Sequence, residues 1–273
     1  MTEQLISQHI RIFLFEFRRK SMKRTRLINP LQIIIAITLI TCLAVPATAF
    51  GQTMMNSLGS FWTEDFNTPI QTEKYFIQGS PGSAYVDENS FLLTEDWSSQ
   101  YGKIFFLEQA YMNDFQADFD LYLGNKEDGS DGLAFHFCPV YDYPSSDGGS
   151  LNANCPGGYL VAFDTHKDWT PGVNQVYVAK DGVENRLIMV EIAPLDDDTW
   201  RHWQVSTVNG KITVTQDSTV LINEFEIPGY TPFIGFFGFS AATGGGHNRQ
   251  RVDNIVILSN PIYRNYLSFL ISN

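Results

Sequence analysis

Gly158-Tyr159-Leu160-Val161-Ala162-Phe163-Asp164-Thr165-His166-Lys167-Asp168 reads as a strand that hands over to a polar loop. Tyr159, Val161 and Phe163 fall on one face and Leu160, Ala162 and Asp164 on the other, the period of two that a pleated backbone imposes. From Asp164 onward, oxygen donors fall on alternate residues: its own carboxylate, the His166 carbonyl and the Asp168 carboxylate, with Asn174 a few residues on. A hard cation such as Ca²⁺ takes its six to eight oxygens from such groups. An ordinary acidic turn has the same residue types, so the surrounding chain has to decide between the two.

Outward from that stretch run short aromatic and β-branched segments at 61–66, 76–78, 85–86, 90–94, 103–107, 115–123, 132–137, 175–178, 187–192, 201–208, 211–216, 219–225, 234–240 and 252–258. Gly, Pro, Asn and Asp separate them, and amphipathic helical stretches are nearly absent. Such a series predicts an all-β fold, a sandwich or jelly roll of antiparallel sheets. Phe115, Ala117, Phe119 and Leu121 alternate with Gln116, Asp118, Asp120 and Tyr122, which predicts one buried face and leaves both aspartates solvated. Asn209-Gly210 between two such runs is the strongest hairpin signal in the chain.

The chain has 273 residues, of which 44% are hydrophobic, so it can bury a sizeable core. The first 49 residues have the layout of a secretory signal: basic residues from Arg18 to Arg26, an apolar run over 31–45, and Ala47-Thr48-Ala49 at a cut after Ala49. Met22 would open a leader of more usual length. A retained anchor is the competing reading, because 28–45 is nearly long enough to cross a bilayer; Pro46 and the small-residue site favour cleavage. Seven of the 18 basic and two of the 30 acidic residues lie in that leader, which leaves eleven against 28, a formal charge of −17 on the rest. Such a surface repels nucleic acid and anionic lipid and suits cations or neutral partners.

Cys42 lies in the leader, and the other two cysteines, Cys138 and Cys155, flank one loop of an exported chain, where a disulfide is the expected state. Two cysteines without a paired C-x-x-C do not supply a zinc site. Polar loops collect at four places: 126–132 with Asp131, the cysteine-flanked loop with Asp147, Gly148 and Gly149, the Asp164–Asp168 loop, and Thr243-Gly-Gly-Gly-His-Asn248.

Asp-Gly-Leu-Ala-Phe at 131–135, a Gly-Gly loop, Val-Ala-Phe-Asp-Thr at 161–165 and Gly-Phe-Ser-Ala-Ala-Thr-Gly at 238–244 follow in that order. In this the chain resembles the L-type lectins, the legume-lectin-like group and its bacterial relatives, over most of 60–258. The resemblance implies a concanavalin-like jelly-roll β-sandwich with sugar-binding loops at one end. It implies Asp131 as acceptor of sugar hydroxyls, a Gly149 or Gly148 amide as donor, and Asp168 where the family has a metal-loop Asn. Gly245, Gly246 and His247 would complete the sugar-binding set. Tyr143, Tyr141 or Trp169 would supply an apolar face for the ring C–H surface.

The metal ligands implied are Asp164, His166 through its carbonyl, Asp168 and Asn174, for one Ca²⁺. The family's transition-metal site is expected to be absent, because its Glu, Asp and His positions are Ala162, Thr170 and Gln175 here. A glycoside hydrolase would need two carboxylates facing a cleft. Glu224 and Glu226 share a run but read as exposed strand residues, and no Ser/His/Asp spacing signals a nucleophile. His136 reads as a strand side chain, and Asp196-Asp-Asp198 as a solvated turn before Trp200.

The expectation is therefore a secreted or cell-surface, non-enzymatic carbohydrate-binding module over 50–258. Its partner would be a glycan or polysaccharide, and membrane contact would come only through a retained leader. A tail over 259–273, apolar but too short to span a membrane, follows. The alternative is a structural or adhesive sandwich whose loops contact protein.

Overall fold

In the computed structural model the described residues are 59–126, 129–166 and 174–259. The leader with Met22, residues 260–273 of the tail, and Asp168, Trp169 and Thr170 lie outside them. The first strands are β1 (Gly59–Glu64), β2 (Tyr75–Gly79), β3 (Tyr85–Asp87), β4 (Ser90–Thr94), β5 (Tyr101–Phe106) and β6 (Ala110–Met112). Then come β7 (Phe115–Tyr122), β8 (Gly132–Cys138), β9 (Asn154–Asp164), β10 (Asn174–Gly182) and β11 (Arg186–Ile192). The last are β12 (Arg201–Val208), β13 (Lys211–Gln216), β14 (Thr219–Glu226), β15 (Phe233–Ala242) and β16 (Gln250–Ser259).

They form two antiparallel eight-stranded sheets, as the turn-broken runs predict. The back sheet has the order β14-β13-β12-β7-β16-β4-β3 with β1 on β16, and the front sheet β11-β10-β9-β8-β15-β5-β2 with β6 on β15. The fold is a jelly-roll sandwich: runs of consecutive strands, β12–β14 and β8–β11, lie against strands from distant parts of the chain, β12 on β7, β7 on β16, and β15 between β8 and β5.

The sheets meet through alternate residues. Phe115, Ala117, Phe119 and Leu121 of β7 are fully or almost fully buried, while their neighbours are only partly covered. Phe119 touches Phe135 and Phe239 at 5.2 and 5.0 Å between ring centroids, and Trp203 meets Phe163 at 4.5 Å. Each side chain of this size contributes about 1.5–3 kcal/mol by leaving water. Asn209 and Gly210 both take positive φ, 52° and 74°, and close the hairpin that pairs Val208 with Lys211.

Two expectations need correction. Asp118 and Asp120 are not simply solvated: Gln116 and Gln204 donate to Asp118, while His202 and Asn254 bond Asp120. In the 196–198 turn Asp197 and Asp198 are exposed as expected, bonded at the surface to Arg201 and to the Tyr122 hydroxyl, but Asp196 is buried.

Strand β9 is buried on both faces. Tyr159, Val161 and Phe163 enter the core between the sheets, while Leu160 and Ala162 enter a second apolar layer on the outer face of the front sheet. Residues 139–153 cover that layer. A disulfide between Cys138 and Cys155 closes this loop over a sequence separation of 17. Lys103 Nζ donates to the Tyr143 carbonyl at 2.6 Å, the Tyr143 hydroxyl donates to Asn152 O at 3.0 Å, and Ser240 Oγ donates to Leu151 O at 2.9 Å. A long polar loop is thus made part of the scaffold, which is what positions its two glycines.

Candidate functional site

The ends of five front-sheet strands lie side by side at one end of the sandwich. Gly132 pairs with Asp164 on one side and Ala242 on the other, and Ala242 pairs with Tyr101. Asn174 opens β10 beside Asp164, because Gln175 pairs with that residue. Three of the four polar loops therefore emerge from adjacent strands.

Asp131 sits at the floor, 4% exposed. The peptide bond that precedes it is cis. Its N–H donates to Ala242 O at 3.0 Å and its carbonyl accepts from Thr165 N at 3.0 Å, so both neighbouring strands fix the residue that carries the carboxylate. Gln250 adds to this from the back sheet by donating to the Ser130 and Ala242 carbonyls. Over the carboxylate lies Gly244. A Cβ there would stand 3.1 Å from Asp131 Oδ2 and 3.3 Å from Gly148 Cα, so a side chain at this position would crowd the approach to the carboxylate.

Gly148 and Gly149 open a single 3-10 turn. The Gly148 amide donates to Thr243 O at 3.0 Å, which commits it to the scaffold. Gly149 and Gly245 have nothing within 4 Å of a hypothetical Cβ. The same holds for Gly148, but its amide is committed to Thr243, so of the two amides that the resemblance implies, that of the exposed Gly149 is the one left for a ligand. The Gly246 carbonyl accepts from Gly244 N at 3.1 Å and tightens that turn. His247 is half-buried, its Nδ1 2.7 Å from Asp96 Oδ1, while Lys126 Nζ reaches the other Asp96 oxygen at 2.6 Å.

The cation ligands implied by the sequence fall on the next strand. Asp164 is buried, 9% exposed, and its Oδ1 accepts from His166 N at 3.0 Å. Asn174 is fully buried, donating to Thr165 O at 3.2 Å and accepting from the Leu195 amide. Gln175 and Ala162 stand where the family's transition-metal ligands would be; Gln175 Oε1 accepts from Arg186 at 2.8 Å, and Ala162 lies in the second apolar layer.

Burial pushes the Asp164 carboxyl up from the ordinary 3.8 to about 6, with the Asp131 charge adding to the rise. Arg186, 3.6 Å away and partly exposed, pulls the other way without overcoming it. A buried carboxylate beside a second carboxylate is a place where a hard cation relieves unfavourable charge, so the residues present fit Ca²⁺.

The sign of the stability effect follows. A carboxyl whose folded pKa exceeds its unfolded one costs nothing below pH 4, where both states are protonated. The cost grows between about pH 4 and 6 and is complete above. In chelator, Asp164→Asn is expected to be more stable than the wild type by about 2–3 kcal/mol at pH 7.5, with the difference gone near pH 4. Denaturant melts of both proteins across that range check this; a constant difference would overturn it.

Several other expectations are settled by placement. Tyr143 is not available to a ligand: it is 4% exposed, packed under its own loop against Phe105 and His136, because the disulfide loop folds inward over the sheet. Tyr141 packs on Phe76 and Phe236. His136 is fully buried and bonded to Ser240, and the sulfurs beside it are joined to each other, so no thiolate is offered to a metal. Glu224 lies in the exposed edge strand β14, where the backbone bulges at a φ of 45°, and Glu226 faces Lys211 across the ladder.

Sequence reasoning missed the residues that tie the loops together. Asn248, fully buried, accepts from Asn125 N and donates to Lys126 O, which pins the loop before Asp131. The Thr243 hydroxyl accepts from Gln100 N at 2.9 Å and donates to Trp97 O at 2.6 Å. These partners lie more than 100 residues apart in the chain, and nothing in a polar loop advertises them.

No protein-family model matches the chain, and no curated protein matches it by sequence. Solved structures do share its backbone. The metal-free form of lectin I-B4 from Griffonia simplicifolia superposes with a TM-score of 0.63 at 16% identity, covering 74% of this chain and all of that one. Lectin II from Ulex europaeus gives 0.61 at 16% identity with the same 74% covered here. The exoplasmic/lumenal domain of VIP36, in its Ca²⁺/Man3GlcNAc-bound form, gives 0.54 at 18% identity and covers 70% of this chain and 88% of that one. The protein has the fold of the L-type lectin domains, the legume lectins and VIP36, as the order of its four motifs implies.

Proposed function

We propose that this is an exported, non-catalytic lectin domain that binds a glycan between Asp131, the Gly149 amide and the Gly245–His247 turn, with Ca²⁺ ordering the adjoining loop. The convergence of Asp131, Gly148 and Gly244 at one strand-end row carries the reading. It pairs a fixed carboxylate acceptor with the amide donor of an exposed glycine, Gly149, the two functions that vicinal sugar hydroxyls need. Solved structures of the same fold support it in kind: lectin UEA-II is complexed with galactose in one, and the VIP36 domain is bound to Ca²⁺ and mannose in another.

The Asp164 carboxylate, the His166 carbonyl and Asp168 would hold the cation, with Asn174 Oδ1 at the edge of the set. When bound, Ca²⁺ would neutralise the buried charge and fix the loop that follows Asp164. A fixed loop lowers the ordering cost of binding a weakly held sugar. Export agrees with the leader layout, and with a disulfide that an oxidising compartment would maintain.

A glycan array probed with residues 50–273, in Ca²⁺ and again in chelator, tests this. Binding in Ca²⁺ and at least a tenfold weaker signal in chelator is the expected result. No signal in either condition would overturn it and favour a sandwich whose loops contact protein.

A further inference from the structure

We propose that Cys138, Cys155 and His136 form a Cu⁺ site whenever the disulfide is reduced, so that the loop over the front sheet can be closed in two exclusive ways, by the S–S bond or by copper.

A ring nitrogen of His136 and the sulfurs of Cys138 and Cys155 lie within 4.8 Å of one another, and all three residues are fully buried. Strand order puts them there. His136 and Cys138 are two apart on β8 and so share its outer face, while Cys155 lies at the start of β9, the next strand, with its Cα 5.7 Å from that of Cys138. That is near enough for both sulfurs to reach one ion once the bond between them is open.

Hydrogen bonding fixes what the imidazole offers. Ser240 Oγ has one proton and donates it to Leu151 O at 2.9 Å, so it accepts from His136 Nε2, 2.7 Å away. The ring proton is therefore on Nε2 and the lone pair on Nδ1, which is buried with no hydrogen-bond partner among the described residues. A metal-binding histidine has this arrangement: one nitrogen donates to a fixed oxygen and the other is left for the ion. A bare acceptor in an apolar layer is unfavourable, and ligation would remove that penalty.

The choice of ion follows from ligand count and charge. Thiolates select soft ions, Cu⁺ and Zn²⁺ among them. Structural zinc takes four ligands, whereas three residues meet here and Cu⁺ is content with trigonal coordination. Two thiolates neutralise Zn²⁺ but leave Cu⁺ with one net negative charge. Lys103, fully buried, bonds a carbonyl rather than a carboxylate through Nζ, which stands 3.8 Å from the centre of the Tyr143 ring, itself 6.1 Å from the His136 ring. The copper site would balance that buried ammonium, and the zinc site would leave it uncompensated.

The steps balance. A dithiol gives two electrons and two protons to the sulfurs, the S–S bond breaks, and the dithiol leaves as its own disulfide. Cu⁺ then displaces one proton from each thiol and takes the Nδ1 lone pair, with no change in its oxidation state.

The test uses the full chain carrying Cys42→Ser, which removes the third thiol, reduced by dithiothreitol in urea and refolded without oxygen after the reductant is removed. Titration with the acetonitrile complex of Cu⁺ against bicinchoninate should show one equivalent retained by the reduced chain and none by the oxidised chain. Cys138→Ser and Cys155→Ser should each abolish retention, and His136→Gln and Ser240→Ala should weaken it by about 10-fold or more. Lys103→Met should lower the preference for Cu⁺ over Zn²⁺. One equivalent of Cu⁺ should also raise the melting temperature of the reduced chain, or restore its β-sheet circular dichroism if reduction alone unfolds it. Copper held equally by reduced and oxidised chains, or by reduced wild type and Cys138→Ser, would overturn the proposal. So would a reduced chain whose melt and circular dichroism do not respond to Cu⁺, and an unchanged preference in Lys103→Met would overturn the choice of ion.

Discussion

Asp131→Ala is expected to abolish glycan retention while leaving the sandwich folded. The carboxylate lies at the floor of the strand-end row, under Gly244, and its backbone is bonded to both neighbouring strands through Ala242 and Thr165. Those backbone bonds survive the substitution. A charged acceptor contributes about 1.5–3 kcal/mol per hydrogen bond. Two sugar hydroxyls left unpaired in a desolvated site would weaken binding at least about 100-fold. Asp131→Asn keeps the shape and one acceptor oxygen, and should fall between the two. Calorimetry beside a thermal melt checks both halves. Retained binding would sink the assignment of Asp131, and a collapsed melt would show that the residue is needed for folding instead.

Joint replacement of Cys138 and Cys155 by serine should cost about 3 kcal/mol, the chain-entropy value for a loop of this length, which is about 6–12 °C in melting temperature for a domain of this size. Both sulfurs are fully buried, so dithiothreitol alone should leave the native protein oxidised, and reduction should require denaturant. The loop so released carries Gly148 and Gly149 and covers Leu160, Ala162 and Tyr177. Glycan affinity should therefore fall with stability, although Lys103, Ser240 and Asn152 still tether the loop. Urea titration and calorimetry on one preparation measure both. An unchanged urea midpoint would show that those tethers suffice.

Much of this was legible from local pattern. Alternation in β7, the Asn209-Gly210 turn and the turn-broken runs each follow from a neighbour one or two residues away. Of the strands described only β6 escaped; β3, equally short, showed through its aromatic and β-branched pair Tyr85-Val86. Strand β9 shows the limit of alternation. Alternation separates Tyr159, Val161 and Phe163 from Leu160 and Ala162 but does not say what covers the second face, which a loop from elsewhere buries. The same folding explains why Tyr143, a candidate platform by composition, lies in the core.

What the sequence determined by itself is the class: an all-β sandwich, a disulfide across one loop, and the identity of the polar residues offered at the four loops. Periodicity, turn chemistry and cysteine count are short-range properties, readable without coordinates. Tertiary structure decided which of those residues meet. Asp131, Gly148 and Gly244 come together because β8, β9 and β15 are neighbours in the sheet and nothing but strand order makes them so. The raised pKa of Asp164 arises the same way. Burial, and hydrogen bonds between residues more than 100 positions apart, belong to the folded chain and have no counterpart in its local sequence.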